Sequence, residues 1–524
     1  MTEQESGLRI TVEPYDPEPA ISATRMALLE HPAVRAVLGD AELSVHNLEL
    51  SDKDSDRAGF EAVVHNARTC RSAHVSGRVD ELESVSVRPS DFLPLASEDE
   101  YGQAVELALR DPRIAELVDA HGLTPYRPMP PVLDSPEPDG TRQRVIAVGL
   151  RGESGDLAHR IIGVRLADGS VIHEPAGVAH PTSDNCEATP AEGGCEPSAG
   201  RDQVRVRVLR GSAVLWDLVV VRPEASSGTN GSGIELRYVD YKGRRVLHRA
   251  HVPILNVEYG GAGVRAGCGP TYRDWQNSET CFEAVGSEPV GPGWRLCTIP
   301  PQTILDSGHD GGGFRGVALW YHNGGLRLVS QLQAGWYRYI SEWHLLDNGT
   351  IQPRFGFAAV ANPCTCKVHT HHAYWRLDFD IITPGNNVVE EYNNPPIIPG
   401  THWHTKKYEI RRTRDAAHNR HWRVRNKGTF MGYTIQPGPH DGTADAFGAG
   451  DLWVLRYHAG EIDDGHGFST NPYVSRADID KFLNSESVDG QDVVLWYGGH
   501  FVHDQAHPGT GGHIVGPDLV PFNW

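Results

Sequence analysis

The residues best suited to chemistry cluster in HTHHAYWRLDFDI, which runs from His369 to Ile381. In an extended strand, residues i and i+2 point to one face. His369 and His371 can therefore converge on one ion while Thr370 turns away. Imidazole suits copper, zinc or iron, so the spacing marks a metal-binding pair without selecting the metal. In a chain with 27 histidines such a pair also arises on ordinary solvated strands, and the longer context has to decide. Asp378 and Asp380 repeat the same alternation with carboxylates, whose oxygens suit a hard cation or, equally, a neighbouring arginine.

The segments around these residues read as strands. From Gln203 onward, QVRVRVLRG, AVLWDLVVVRP, IELRYVDYKG, VALWYHNGGLRLVSQL, YWRLDFDII, KKYEIRRT and DLWVLRYH alternate or run apolar between turn signals. Residues 203–524 are thus expected to form a large antiparallel β-sandwich, with helical pattern confined to SRADIDKFLNS. Upstream, ALLEHPAVRAVLGD resembles LALRDPRIAELVDA, and each precedes strand-like segments. Two small α+β domains, 1–92 and 93–175, are the economical reading. Residues 176–202, rich in Gly, Pro, Ser and acids, read as a linker. The fold class expected is mainly β.

At 524 residues the chain exceeds a single core, in keeping with several domains. A net charge of −20 without long acidic blocks argues against nucleic acid or an anionic membrane as partner. The opening MTEQESGLRITVEPYD lacks the basic start and apolar core of a signal peptide, and a cytosolic or leaderless protein is the expectation. No stretch approaches the apolar length of a membrane span. Of the eight cysteines, seven group locally as Cys186/Cys195, Cys268/Cys281/Cys297 and Cys364/Cys366. Those spacings fit no strong zinc pattern and suggest thiols or a disulfide.

His-x-His followed after four residues by Arg376-Leu377-Asp378 resembles the copper site of copper amine oxidases. In that family the third histidine lies six residues after the tyrosine of an apolar Trp-Tyr strand. In DVVLWYGGHFVHD, Trp496-Tyr497 is followed at that interval by His503, with His500 as the competitor. RLVSQLQAGWYRYISEWHLLDNGTI resembles the strand bearing the tyrosine that becomes topaquinone, which puts Tyr337 at the modified position and Tyr339 at the second tyrosine. Trp336 and Arg338 depart from the family pattern at the two intervening positions. NVEYGGAGVRAGCGPTYRDW resembles the segment with the catalytic aspartate, here Asp274, with Tyr272 two residues before it and Tyr259 further upstream. NRHWRVRNKG, GYTIQPG and LWVLRYHAGEI extend the likeness across the sandwich.

The resemblance implies copper on His369, His371 and His503, and a calcium-like ion on Asp378, Asp380 and Asp492 with the carbonyls of Phe379 and Val493. It further implies that Asp274 removes the α-proton of the substrate Schiff base, Tyr272 gates the channel and Tyr259 hydrogen-bonds a quinone oxygen. The expected reaction turns a primary amine, small or carried on a peptide, into an aldehyde, with oxygen consumed and ammonia and hydrogen peroxide released. A homodimer is implied as well. Two other classes stay open. One is a copper oxidase or oxygenase with unmodified Tyr337 that tailors a peptide or natural product. The other is a non-catalytic relative whose metal only stabilises. Strand parity favours the quinone, because Trp336 and Arg338 must point away from the face that carries Tyr337 and Tyr339.

Overall fold

Alternation of apolar and polar residues becomes alternation of buried and exposed ones. In the strand Gln203–Arg210, valines 204, 206 and 208 are fully buried while Arg205 and Arg210 are exposed. The computed structural model describes residues 7–16, 19–40, 43–50, 53, 58–90, 92–129, 131–136, 142–152, 159–175, 195, 200–258, 271–360, 365, 368–467, 476–503 and 514–524.

Two small α+β units precede the sandwich. The first packs helices Pro19–Glu30 and Pro32–Leu38 on a four-stranded sheet from Leu43–Leu50 to Ser86–Ser90. Leu28, Val34 and Leu38 meet Phe60, Val64 and Val75 in its core. The second packs helices Glu98–Arg110 and Pro112–His121 on a five-stranded sheet. The repeated sequence explains the repeated shape. Pro32 and Pro112 each open a helix, where the missing N–H costs nothing, and His31 and Asp111 cap those helices with side-chain acceptors.

Two large sheets form the sandwich. One has ten strands and carries, side by side, Arg244–Glu258, His369–Phe379 and Val493–His503. The other has twelve and carries Gly325–Ala334, Tyr337–Leu346 and Ile351–Ala359 as neighbours. Side chains from both sheets, among them Leu255, Leu377 and Tyr497 from the first and Leu328, Tyr339 and Phe357 from the second, share one core. Two details differ from the sequence reading. Leu8–Pro14, assigned to the first small domain, instead pairs antiparallel with Gln203–Arg210 and extends the ten-stranded sheet. Among the described residues of SRADIDKFLNS, Ile479–Phe482 forms a 3₁₀ turn, with Ile479 and Phe482 packed in a local core with Trp496 and Leu455. No helix among the described residues is long and apolar enough to cross a membrane.

Candidate active site

The strands His369–Phe379 and Val493–His503 pair antiparallel along their full length, with His369 opposite His503 and His372 opposite His500. Cross-strand partners share a face, so His369, His371 and His503 lie together and His372 and His500 lie behind them. Their ring nitrogens follow suit. His369 Nε2 is 3.1 Å from His371 Nε2 and 3.4 Å from His503 Nδ1. His372 and His500 face each other through Nδ1 atoms 2.9 Å apart. All three residues of the front group are buried. Two nitrogens bound near-tetrahedrally at about 2.0 Å to one ion lie roughly 3.3 Å apart, so the front group fits a single transition metal.

The opposite sheet supplies phenols. Tyr337 and Tyr339 start the strand Tyr337–Leu346 and point across the sandwich interior. The Tyr337 hydroxyl lies 2.6 Å from His369 Nε2 and 3.3 Å from His503 Nδ1. Its ring meets that of His371 edge-on, with centroids 4.7 Å apart. Phe357, the neighbour of Tyr339 on the adjoining strand, stacks on His371 with centroids 4.0 Å apart and fixes that imidazole's plane. Nothing in the sequence singles out Phe357, one apolar residue in an apolar-rich strand.

Asp274 follows the short strand Thr271–Arg273, which pairs with the end of Arg244–Glu258, and its amide donates to Leu255 O at 3.0 Å. Its side chain is fully buried and accepts a hydrogen bond from the Tyr339 hydroxyl. Burial raises its carboxyl to about 8, and the Tyr339 bond offsets only part of that. Tyr339 is also 3.0 Å from His371 Nδ1. With Asp274 ionised, the single phenolic proton goes to the carboxylate and Tyr339 accepts from His371 Nδ1–H. The Nε2 lone pair of His371 then faces His369.

Arg338 turns to the other side of the strand, as parity requires. Its guanidinium forms a two-pronged pair with Asp310 at 2.7 and 2.9 Å and also donates to the carbonyls of Gly335 and Tyr337. Asp310, in the glycine-rich segment GHDGGGF, was invisible in the sequence as the partner of Arg338. Trp336 is buried in the hairpin turn, its ring 6.3 Å from that of Tyr337. Tyr259 lies outside the described residues. For Tyr272 only the backbone is described, opposite Val257.

At the far end of the histidine-bearing strand pair, Asp378, Asp380 and Asp492 bring carboxylate oxygens within 4.8 Å of one another. Phe379 and Val493 face each other at the same end of the ladder. Between the carboxylates sits the ammonium of Lys53, a residue the sequence did not single out. Burial and the charge of Asp378 push the carboxyls of Asp380 and Asp492 upward.

Residues 339–524 match the family described as copper amine oxidase, enzyme domain. Comparison with curated proteins returns no match. Among solved structures, the chain is similar to a copper-containing benzylamine oxidase from Hansenula polymorpha, with a TM-score of 0.58 and 14% identity over 98% of both chains. It is similar also to the lysyl oxidase of Pichia pastoris, with a TM-score of 0.55 and 13% identity over 98% of this chain and 91% of that one. An Aspergillus nidulans amine oxidase gives a TM-score of 0.52 at 14% identity, covering 98% and 90%. These structural likenesses speak for the fold, and the enzyme-domain match adds the sequence. The chain thus has the fold of these copper amine oxidases, and its residues 339–524 match that family's enzyme domain.

Proposed function

We propose that the protein oxidises a primary amine to an aldehyde, using copper held by His369, His371 and His503 and a topaquinone formed from Tyr337, with release of ammonia and hydrogen peroxide. One observation carries the reading: the Tyr337 hydroxyl lies 2.6 and 3.3 Å from two of the three nitrogens proposed to hold copper. When bound, copper and the quinone supply the electron sink and the reaction with oxygen.

The protein's own residues supply position and proton transfer. Asp274 takes a proton from the carbon that bears the amine, and burial gives its carboxyl the affinity a base needs near neutral pH. Tyr339 holds that carboxylate and, through His371 Nδ1, sets the orientation of one metal ligand. Phe357, Phe501 and the surrounding core exclude water from the imidazoles. Arg338 does not oppose the reading, because Asp310 balances its charge on the outer face of the strand.

Metal-free protein, loaded with copper in air, is expected to acquire a quinone at Tyr337. Peptide mass spectrometry across QAGWYRY, quinone staining and hydrazine titration report it. Unmodified Tyr337 after prolonged loading would favour a copper oxidase or oxygenase that uses the metal alone.

A further inference from the structure

The family resemblance implies calcium at the carboxylate end of the sandwich. Calcium takes six to eight oxygen ligands at about 2.3–2.6 Å and so needs the centre of its carboxylate cluster. Here that centre is filled. Lys53 Nζ lies 2.6 Å from Asp378 Oδ1, 2.8 Å from Asp380 Oδ1 and 3.1 Å from Asp492 Oδ1. The lysine side chain is 4% exposed, Asp378 1% and Asp380 2%, so these groups are buried, while Asp492, 23% exposed, borders solvent. With Lys53 seated, the residues present do not fit a divalent ion.

We infer that Lys53 is the resident cation of this site, a tethered ammonium that takes the place of a hard metal ion and locks the first small module to the sandwich without metal. Its surroundings are built for an ammonium. The Tyr457 ring lies under Nζ with its centroid 4.2 Å away, which favours an organic cation over a metal ion seeking oxygen. Three donors meet three carboxylates, the full capacity of the group.

The neighbouring chain is anchored in the same direction. The strand Leu43–Leu50 ends with Glu49 paired to buried Arg249 at 2.6 Å, and Leu50 O accepts from the Tyr457 hydroxyl at 3.3 Å. Within five residues, Glu49, Leu50 and Lys53 each engage the sandwich. Arg376 Nη1 and His248 Nδ1, each 3.8 Å from an outer carboxylate oxygen, complete the polar surround. A divalent ion would have to displace the lysine from all three carboxylates, and its tether keeps the ammonium at high effective concentration.

The test titrates metal-stripped protein with calcium, by calorimetry and by thermal melting. The wild-type chain is expected to bind no stoichiometric calcium and to melt at the same temperature with and without it. Lys53→Ala, which empties the centre but keeps the three carboxylates, is expected to gain calcium affinity by roughly a hundredfold or more and to melt higher when calcium is added. One calcium bound per wild-type chain, with a raised melting temperature, would overturn the inference. So would a folded Lys53→Ala protein that melts like the wild type and ignores calcium. If that variant is too unstable to melt cooperatively, the wild-type titration decides alone.

Discussion

The strands His369–Phe379 and Val493–His503 form one ladder with two chemically opposite ends. At one end three imidazoles converge, all buried and all able to offer neutral lone pairs. At the other, three carboxylates converge on an ammonium supplied by the chain itself. The same parity rule gathers the ligands at both ends, yet the consequences differ. Neutral nitrogens can be buried together without a counter-charge, so the histidine end needs no charged partner from the chain. Carboxylates cannot be buried together uncompensated, and Lys53, in contact with all three, offsets part of their charge within the fold. Similar clustering thus gives a group that could hold a metal ion at one end and an ion cluster closed by the chain's own lysine at the other.

Exchanging losses between the ends breaks the comparison most sharply. His503→Ala should abolish copper retention and turnover, because two imidazoles supply neither the affinity nor the geometry of three. The melting temperature of the metal-free protein should barely change. Asp378→Asn should do the reverse. It removes a carboxylate from buried Lys53 and should destabilise the fold by about 3 kcal/mol while leaving copper bound. Copper analysis and denaturant titration of both variants check this. A His500→Ala protein that loses copper while His503→Ala keeps it would reassign the third ligand.

Asp274 tests the catalytic half of the histidine end. Asp274→Asn should keep copper and the quinone and lower turnover by about 10²–10⁴-fold, since the amide cannot accept a proton. The wild-type pH profile should show the same group. Burial raises the carboxyl from 3.8 to about 8, so between those values the folded chain holds a proton that the unfolded chain has lost. The stability gained from that difference is present at the acid end of the window and fades as pH rises toward 8. Turnover runs oppositely, rising with pH as the carboxylate forms, and the Asn variant should lose that limb. A profile unchanged by the substitution would place the base elsewhere.

The sequence revealed what periodicity and spacing carry. His369 and His371 follow from period two. His503 and Tyr337 follow from their intervals to Trp496-Tyr497 and within QAGWYRY, read through the family resemblance. The sandwich follows from alternation such as QVRVRVLRG. What stayed hidden depends on distant partners. Lys53 meets Asp378 across 325 residues, and Arg338 meets Asp310 across 28, with no local pattern announcing either. Leu8–Pro14 is a plain alternating strand, and only tertiary pairing shows that it joins the large sheet. The cysteine spacings allow a disulfide without giving its partners, and Cys195 bridges Cys281 across 86 residues.

The smallest expected effect belongs to Arg338, which with Trp336 departs from the pattern of the family that the strand resembles. A bare guanidinium charge beside Tyr337 would bias any nearby anionic oxygen. The structure answers with Asp310, which takes both forks of the guanidinium on the face away from the histidines. Removing the pair together, as Arg338→Met with Asp310→Leu, should therefore leave quinone formation within about tenfold of wild type, a difference of ~1.4 kcal/mol at most. A modest slowing is expected rather than none, because Arg338 also holds the carbonyls of Gly335 and Tyr337 and so steadies the start of the strand. Asp310→Ala alone should fare worse, since it strands a buried guanidinium and should cost about 3 kcal/mol of stability. The growth of quinone absorbance after copper loading, read beside the melting temperature, separates the two effects. A double variant that folds, binds copper and forms no quinone would show that the Arg338 charge acts on Tyr337 itself. The outer face of the strand would then belong to the chemistry as much as the inner one.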